Sequence, residues 1–402
     1  MKIALCGPAD LHPLARLCKA DTADVPKGVG PTPLAPLIGE LIARGHQVTL
    51  YTLSPGVQKY LYFDWGALRV FVGSTRRFRY LYRPEIAYLK QVIRTDAPPF
   101  VHVHWTYEYA LGALATGVPT IITIHDLPWN VLRYFRDTCR AVRLLMAYMV
   151  AAKGRHFTAV SPDAARHFKR WLRPRASIEV IPNFLPGRVF DMGRAHPPRS
   201  DRPFTFVTIL QGWTRRKNGG CALNAFQLVR KVLPNARLIM VGTDYEEGGA
   251  AHAWAMSQGL ARGVMFQGVM RHEEMLKFVL QEADVLVHPS LDEAFSVSVL
   301  ECMALNKPVI AGKRTPGLSW VLDDGCAGSL VDVREPEEVA RAMQQLATDH
   351  VLRNKLSDAA FEKAWSHFRA DVVVPQYEAL YRDFAARLQP DGHRRNQGGE
   401  RA

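Results

Sequence analysis

The stretch HPSLDEAFSVSVLE, residues 288–301, follows a mostly apolar run, Ala283–Val287, and leads into MALNKP. It carries two glutamates, Glu293 and Glu301, eight residues apart. On one continuous helix, eight residues rise about 12 Å and turn roughly 80° off one face. A carboxylate pair sharing acid–base work at one scissile bond converges to about 5–9.5 Å. The spacing therefore disfavours such a pair. Ser298-x-x-Glu301 fits a capping box, which predicts a helix starting near Ser298, with Glu293 in the loop before it and Glu301 in its first turn. The backbone N–H groups around Phe295, Ser296 and Val297 then sit at a helix N-terminus, a ready anion site. The plainer readings are that Glu301 only closes the capping box and that Glu293 is an exposed loop acid.

Outward from this stretch the chain alternates short apolar strands with helical patterns. Strand candidates in the first half are Lys2–Cys6, Gln47–Thr52, Leu68–Val72, Val101–His104, Thr120–Ile124, Phe157–Val160 and Ile178–Ile181. Near-continuous Val/Ile runs are expected where both faces of a parallel sheet are covered. The pattern restarts with Thr205–Leu210, Arg237–Val241, Val264–Phe266, Ala283–Val287, Val309–Ala311 and Ser329–Val331. Between the two series, residues 183–203 are rich in Pro, Gly and Arg and read as a linker. The expected fold is α/β, two doubly wound Rossmann-like domains facing a cleft. The expected boundaries are 1–182, linker 183–203, 204–370, a helix over 371–388 packing back toward the first domain, and a disordered tail over 389–402.

Composition narrows the class. Hydrophobic residues make up 48% of the 402, so the chain folds into sizeable cores. No secretory leader is evident, no apolar run is long enough to span a bilayer, and six scattered cysteines without a CxxC pair fit a reducing compartment. A cytoplasmic location is expected. Residues 1–200 hold 27 Lys+Arg against 13 Asp+Glu, whereas residues 201–402 hold 24 against 25. All of the net positive charge thus lies in the first half. It concentrates in GSTRRFRYLYRPE, residues 73–85, and in residues 131–155, where Arg133, Arg136, Arg140 and Arg143 recur at helical steps. Such a stripe suits an anionic lipid surface, although an ordinary amphipathic domain helix suits it slightly better. No nucleic-acid-binding motif accompanies the charge, so nucleic acid is not an expected partner.

Other candidate residues cluster at strand ends. LQGWTRRKNGG, residues 210–220, puts Arg215, Arg216 and Lys217 directly after a strand, where a diphosphate gains charge neutralisation. Gly212 lies in the same loop. TIITIHDLPWN, residues 120–130, ends a strand on His125 and Asp126. VHVHW ends a neighbouring strand with His102 and His104 on one side. Gly28 and Gly30 form a G-x-G, a weak signal by itself.

The run PSLDEAFSVSVLECMALNKPVIAG, residues 289–312, resembles the E-x7-E signature of retaining, family-4-type glycosyltransferases of the GT-B fold. Pro289-Ser290, Met303-Ala304 and Pro308-Val309-Ile310 extend the likeness, which is strong over 203–332 and looser over the first 180 residues. Where that family usually has E-G-F-G, this chain has Glu293-Ala294-Phe295-Ser296. The resemblance implies transfer of a sugar from a nucleotide-diphosphate sugar to a hydroxyl acceptor, a glycan or a lipid-linked molecule. It implies that Glu293 faces the sugar and Glu301 the ribose, and that Lys217 with Arg215 or Arg216 meets the diphosphate. His125 would lie near the reacting centre, and Met270 in the loop around the base. Gly317 would lie near the phosphates, and Gly28, Gly30, His104 and Asp126 toward the acceptor. Retention would follow from front-face attack with the leaving phosphate as base. No D-x-D occurs in the chain, so a metal-independent reaction without a cofactor is expected. The rivals are a sugar-nucleotide epimerase and a binding protein that keeps the fold without turnover.

Overall fold

A computed structural model describes residues 1–30, 32–75, 77–195 and 202–388. The predicted tail 389–402, residues 196–201 of the predicted linker, Arg76 and the side chains of Arg77 and Arg79 lie outside the described residues.

The first sheet has eight strands: β1 Lys2–Cys6, β2 Gln47–Ser54, β3 Leu61–Asp64, β4 Leu68–Ser74, β5 Val101–His104, β6 Thr120–Ile124, β7 His156–Ala159 and β8 Ile178–Val180. Their spatial order is β3-β4-β2-β1-β5-β6-β7-β8, parallel except for β3 against β4. The second sheet has β9 Thr205–Ile209, β10 Arg237–Val241, β11 Val264–Gly268, β12 Val285–His288, β13 Val309–Gly312 and β14 Ser329–Val331. It is wholly parallel, in the order β11-β10-β9-β12-β13-β14. The chain runs outward one way and then the other, so each sheet has a switch point: β1 beside β5, and β9 beside β12. Loops leaving the carboxyl ends of those strands diverge and open a crevice.

Helices cover both faces of the sheets, which is why Ile121, Ile122, Ile124, Val285, Leu286 and Ile310 are fully buried and why the strands carry little polar alternation. The unexpected β3 forms a hairpin with β4. Asp64 Oδ1 accepts from the Gly66 amide at 3.0 Å, and Gly66 takes φ +76° to close the turn. The hairpin lies at the sheet edge with alternating exposure, and its aromatic-rich sequence gave no run of buried aliphatics to announce it.

The linker reading needs correction. Gly187–Arg194 is a helix that buries Val189 and Phe190, the latter edge-on to Phe361 and Trp365 at 5.9 and 5.5 Å. A side chain at Gly193 would meet the Ala304 carbonyl at 2.2 Å, so only glycine permits this packing. The arginine stripe also fails. The helix Pro128–Phe135 stops at Arg136, which takes φ 50° as a left-handed cap. A second helix, Thr138–Lys153, starts at Asp137, whose Oδ1 accepts from the Arg140 amide at 2.8 Å. The break rotates Arg140 and Arg143 out of line with Arg133, and Arg143 turns inward over Tyr107 and Tyr82 at 5.1 and 5.5 Å.

The final helix, Ala370–Leu388, joins the core of the first domain. Ala370, Val373, Val374, Tyr377, Tyr381 and Phe384 pack with Ile3, Leu5, Phe100 and Ile121. Tyr381 Oη lies 2.7 Å from His102 Nδ1, and Glu378 pairs with His46 at 2.7 Å.

Candidate active site

The crevice is built from loops at the two switch points. In the second domain, Lys217 follows β9 and Glu293 follows β12, the two strands that flank the switch. Lys217 Nζ and Glu293 Oε1 meet at 2.5 Å, both largely buried. His288, the last residue of β12, places Nε2 3.4 Å from the same carboxylate. Burial alone would push the Glu293 carboxyl up, but Lys217, then His288 and Arg216, override it and hold it well below the usual range. The acid is an anion throughout the physiological range. Arg216 is half-buried with Nη1 3.8 Å from Asp292 Oδ2 and its guanidinium 5.8 Å from the Phe135 ring, whereas Arg215 is exposed. Burial pushes Asp292 up to about 6, and Asn130 and Arg216 restrain it.

Ser296, not Ser298, caps the helix Val297–Ala304: its Oγ accepts from the Val299 amide at 3.4 Å. The helix starts one residue after the cap, so Glu301 lies in its second turn and closes no capping box. Glu301 pairs instead with His272 Nε2 at 2.5 Å, which raises the His272 pKa against the opposing effect of burial. The open amides of Val297 and Ser298 remain at the helix N-terminus beside Lys217 and Glu293. The Phe295 ring turns into the core, edge-on to Phe368 at 5.5 Å and Trp320 at 6.3 Å. Only its backbone can therefore serve a ligand. Met270 packs partly buried against the core. Gly212 adopts φ +82° in the β9 loop, next to Asp244, which accepts from the Trp213 amide at 2.9 Å.

Three hydrogen bonds tie the domains together across the crevice. Asn130 Nδ2 donates to Asp292 Oδ1 at 2.7 Å, Ser161 Oγ to the Ala294 carbonyl at 2.6 Å, and the Gly317 amide to Asp163 Oδ2 at 2.8 Å. The Gly317 amide, expected near phosphates, is thus committed to Asp163. Gly317 still needs its missing side chain: a Cβ would meet the Ala294 carbonyl at 2.5 Å.

On the first domain, His104 Nδ1 lies 2.8 Å from His125 Nε2. Burial drives His125 down to about 4, and it drives His104 well below its ordinary value, with His102 and His125 adding to the latter. Both rings are neutral. Among the described residues no group bonds His104 Nε2, which is buried. A bare lone pair is tolerated there better than an orphaned N–H. His104 therefore carries its proton on Nδ1 and donates to His125, which leaves the His125 Nδ1–H as the donor available to a ligand. Asp126 turns away, its Oδ2 accepting from Tyr107 Oη at 2.6 Å and Trp105 Nε1 at 3.2 Å. Gly28 and Gly30 press on the loop after β1: a Cβ would meet the Ala9 carbonyl at 2.2 Å and Asp10 at 2.6 Å respectively. Their contacts are with the chain itself. His102 is sealed between Tyr381 and Thr123.

Residues 200–363 match the family described as Glycosyl transferases group 1, and residues 34–186 match Glycosyltransferase Family 4. A D-inositol 3-phosphate glycosyltransferase of Acidothermus cellulolyticus is 33% identical over 308 residues, 71% of this chain and 67% of that protein. The chain belongs to the group 1, family-4-like glycosyltransferases. In fold, the glycosyltransferase resembles sucrose-phosphate synthase of Thermosynechococcus elongatus, with TM-score 0.75 and 20% identity over 96% of this chain and 100% of that one. It also resembles HepE of Anabaena, solved in complex with UDP and glucose, with TM-score 0.70 and 17% identity over 95% and 100%.

Sequence reasoning missed four residues of the glycosyltransferase's crevice: His288, His272, Asn130 and Ser161. His288 ends an apolar strand, the same signal that singled out His125. His272 lies two residues beyond Met270, the residue of that loop to which the resemblance pointed. Asn130 and Ser161 act across the domain boundary, which no local pattern reveals.

Proposed function

We propose that the enzyme transfers a sugar from a nucleoside-diphosphate sugar to a hydroxyl acceptor with retention, and without a metal or other cofactor. The contact between Lys217 and Glu293 at 2.5 Å, at the switch point and beside a helix N-terminus, carries this reading. Lys217 and Arg216 neutralise the diphosphate as the bond from the anomeric carbon to the phosphate oxygen breaks. The amides of Val297 and Ser298 and the Gly212 loop assist. Glu293, kept anionic, accepts hydrogen bonds from the sugar hydroxyls, and the His125 Nδ1–H donates to the sugar. Glu301 accepts from the ribose. The acceptor oxygen attacks on the face the phosphate leaves, and its proton passes to a leaving phosphate oxygen.

UDP is the first nucleotide to test, because a neighbour in fold was solved with UDP. The acceptor enters along the first domain. A lipid-linked acceptor or growing glycan fits the positive charge of that half, and so does peripheral association with a membrane.

A panel of nucleotide sugars, assayed for acceptor-dependent release of nucleoside diphosphate, tests the proposal. Nucleotide release without an acceptor, or turnover like wild type in both Lys217→Ala and Glu293→Ala, would overturn it.

A further inference from the structure

Helix Thr138–Lys153 is apolar on two sides. Leu144, Met146, Ala147, Val150 and Ala151 face the core. On the opposite side Leu145, Tyr148 and Met149 are 59%, 37% and 40% exposed, at the spacing of one helical stripe. Two tryptophans extend that stripe. Trp129 is 37% exposed and donates from Nε1 to Tyr148 Oη at 3.0 Å. Its ring lies 5.9 Å from that of Trp171, itself 46% exposed. Five large side chains thus form one continuous solvent-facing patch across three helices, Pro128–Phe135, Thr138–Lys153 and Pro162–Leu172. Contiguous exposed apolar surface of this kind marks an interaction site.

The rim decides the partner. Residues 129–175 contain eleven Lys+Arg and two Asp+Glu. Arg133, Lys153, Arg155, Lys169, Arg170 and Arg173 are exposed on the same three helices or directly after them, and the Arg170 guanidinium lies 5.5 Å from the Trp171 ring. Of the two acids, Asp137 caps a helix and pairs with Arg140, and Asp163 bonds Gly317 and Arg166. Neither offsets the rim. A second copy of the chain would oppose this cationic rim to itself. A nucleic acid would satisfy the rim and leave the aliphatic centre uncovered. A bilayer satisfies both: the aliphatic stripe enters the acyl boundary, Trp and Tyr settle at headgroup level, and Lys and Arg meet anionic headgroups.

We propose that this face docks the enzyme on a bilayer carrying anionic lipids. No helix among the described residues is long and apolar enough to cross a membrane, so the chain would lie on the surface. The patch adjoins the crevice, since Trp129 precedes Asn130, which bonds Asp292 across it. Docking would bring the acceptor side to the lipid surface, and that link to the reaction rests on the proposed lipid-linked acceptor.

Full-length protein floated with vesicles of phosphatidylglycerol and phosphatidylcholine tests the docking. Co-flotation is expected, at least tenfold weaker with phosphatidylcholine alone and at least tenfold weaker in Leu145→Asp/Met149→Asp. Trp171→Ala, a milder change, is expected to lose about threefold and covers the case in which the double variant does not fold. UDP binding is measured by calorimetry on the same preparations and is expected to be unchanged. UDP binding without flotation overturns the docking alone, and flotation without binding of any nucleotide overturns the function alone. Variants that float like wild type, variants that convert a dimer to a monomer without changing flotation, or retention on RNA in place of vesicles each overturn the docking.

Discussion

His104 Nδ1 lies 2.8 Å from His125 Nε2, so the half-buried imidazole at the crevice is held by one that is fully buried. This fixes which nitrogen of His125 remains for a ligand. Replacing His104 by Ala frees the His125 ring and its tautomer, and is expected to lower kcat about tenfold, the equivalent of about 1.4 kcal/mol. KM for the donor changes less. His104→Asn, whose amide can stand in for Nδ1–H, restores part of the loss. A merely structural role would lower Tm in both variants and leave the kcat of folded enzyme unchanged.

Lys217→Ala leaves the Glu293 anion buried without its partner. Breaking such a pair costs about 3–5 kcal/mol, which thermal or urea unfolding will register. Lys217→Met/Glu293→Gln removes both charges and is expected to unfold near wild type, yet to lose about 100-fold or more in turnover. Because the folded pKa of Glu293 is depressed, its contribution is fully present above the unfolded carboxyl pKa of about 4.3 and is lost as pH falls below it. Glu293→Gln should therefore flatten the acid limb of the stability profile, measured between pH 3 and 6.

His272 occupies Glu301, the acid assigned to the ribose. Its pKa is raised by that contact, so the pair is complete at low pH and weakens as pH rises through the folded value. Donor binding that displaces His272 is then expected to tighten from pH 6 to pH 8 with release of a proton. His272→Ala should bind the nucleotide more tightly at pH 6 and lose the pH dependence. Calorimetry in buffers of different ionisation enthalpy reads both. Arg188 and Glu273 also act on His272 in opposite directions, Arg188 lowering and Glu273 raising it, and the two pair with each other at 3.2 Å.

Much of the scaffold is legible in the sequence because buried parallel strands are near-continuous Val and Ile. The positions of Lys217, His125 and Glu293 in loops at strand ends follow from that, whereas the 2.5 Å contact of Lys217 with Glu293 does not. What was not legible has specific causes. The sequence Arg136-Asp137-Thr138 contains a left-handed cap followed by an N-cap, and a periodicity count runs straight through it. Ser296 and Ser298 compete for one capping position, and the nearer glutamate favours the wrong one. The helix 187–194 hides because it buries only two large side chains. Contacts between domains, such as Asn130 with Asp292, depend on how two sheets face each other.

Ser296 stands where the family usually has glycine, and its φ of −101° needs no glycine. Its hydroxyl caps the following helix, so Ser296→Ala is expected to cost about 1 kcal/mol and Ser296→Gly only a few tenths. Thermal unfolding of the two variants checks the order. Turnover in Ser296→Gly should stay within about twofold of wild type.

The helix Ala370–Leu388 completes the core of the first domain with residues made after the whole second sheet. At about 5–20 residues per second, a ribosome needs on the order of 10–40 s between finishing β8 and delivering Tyr377, Tyr381 and Phe384. During that interval Phe100 lacks the rings of Tyr381 and Phe384 that pack on it, and the two halves of the protein cannot mature one after the other. Maturation of the amino-terminal half awaits that helix, so a chain ending at residue 369 would expose part of its hydrophobic core to the cell's chaperones and proteases rather than form a working half-enzyme.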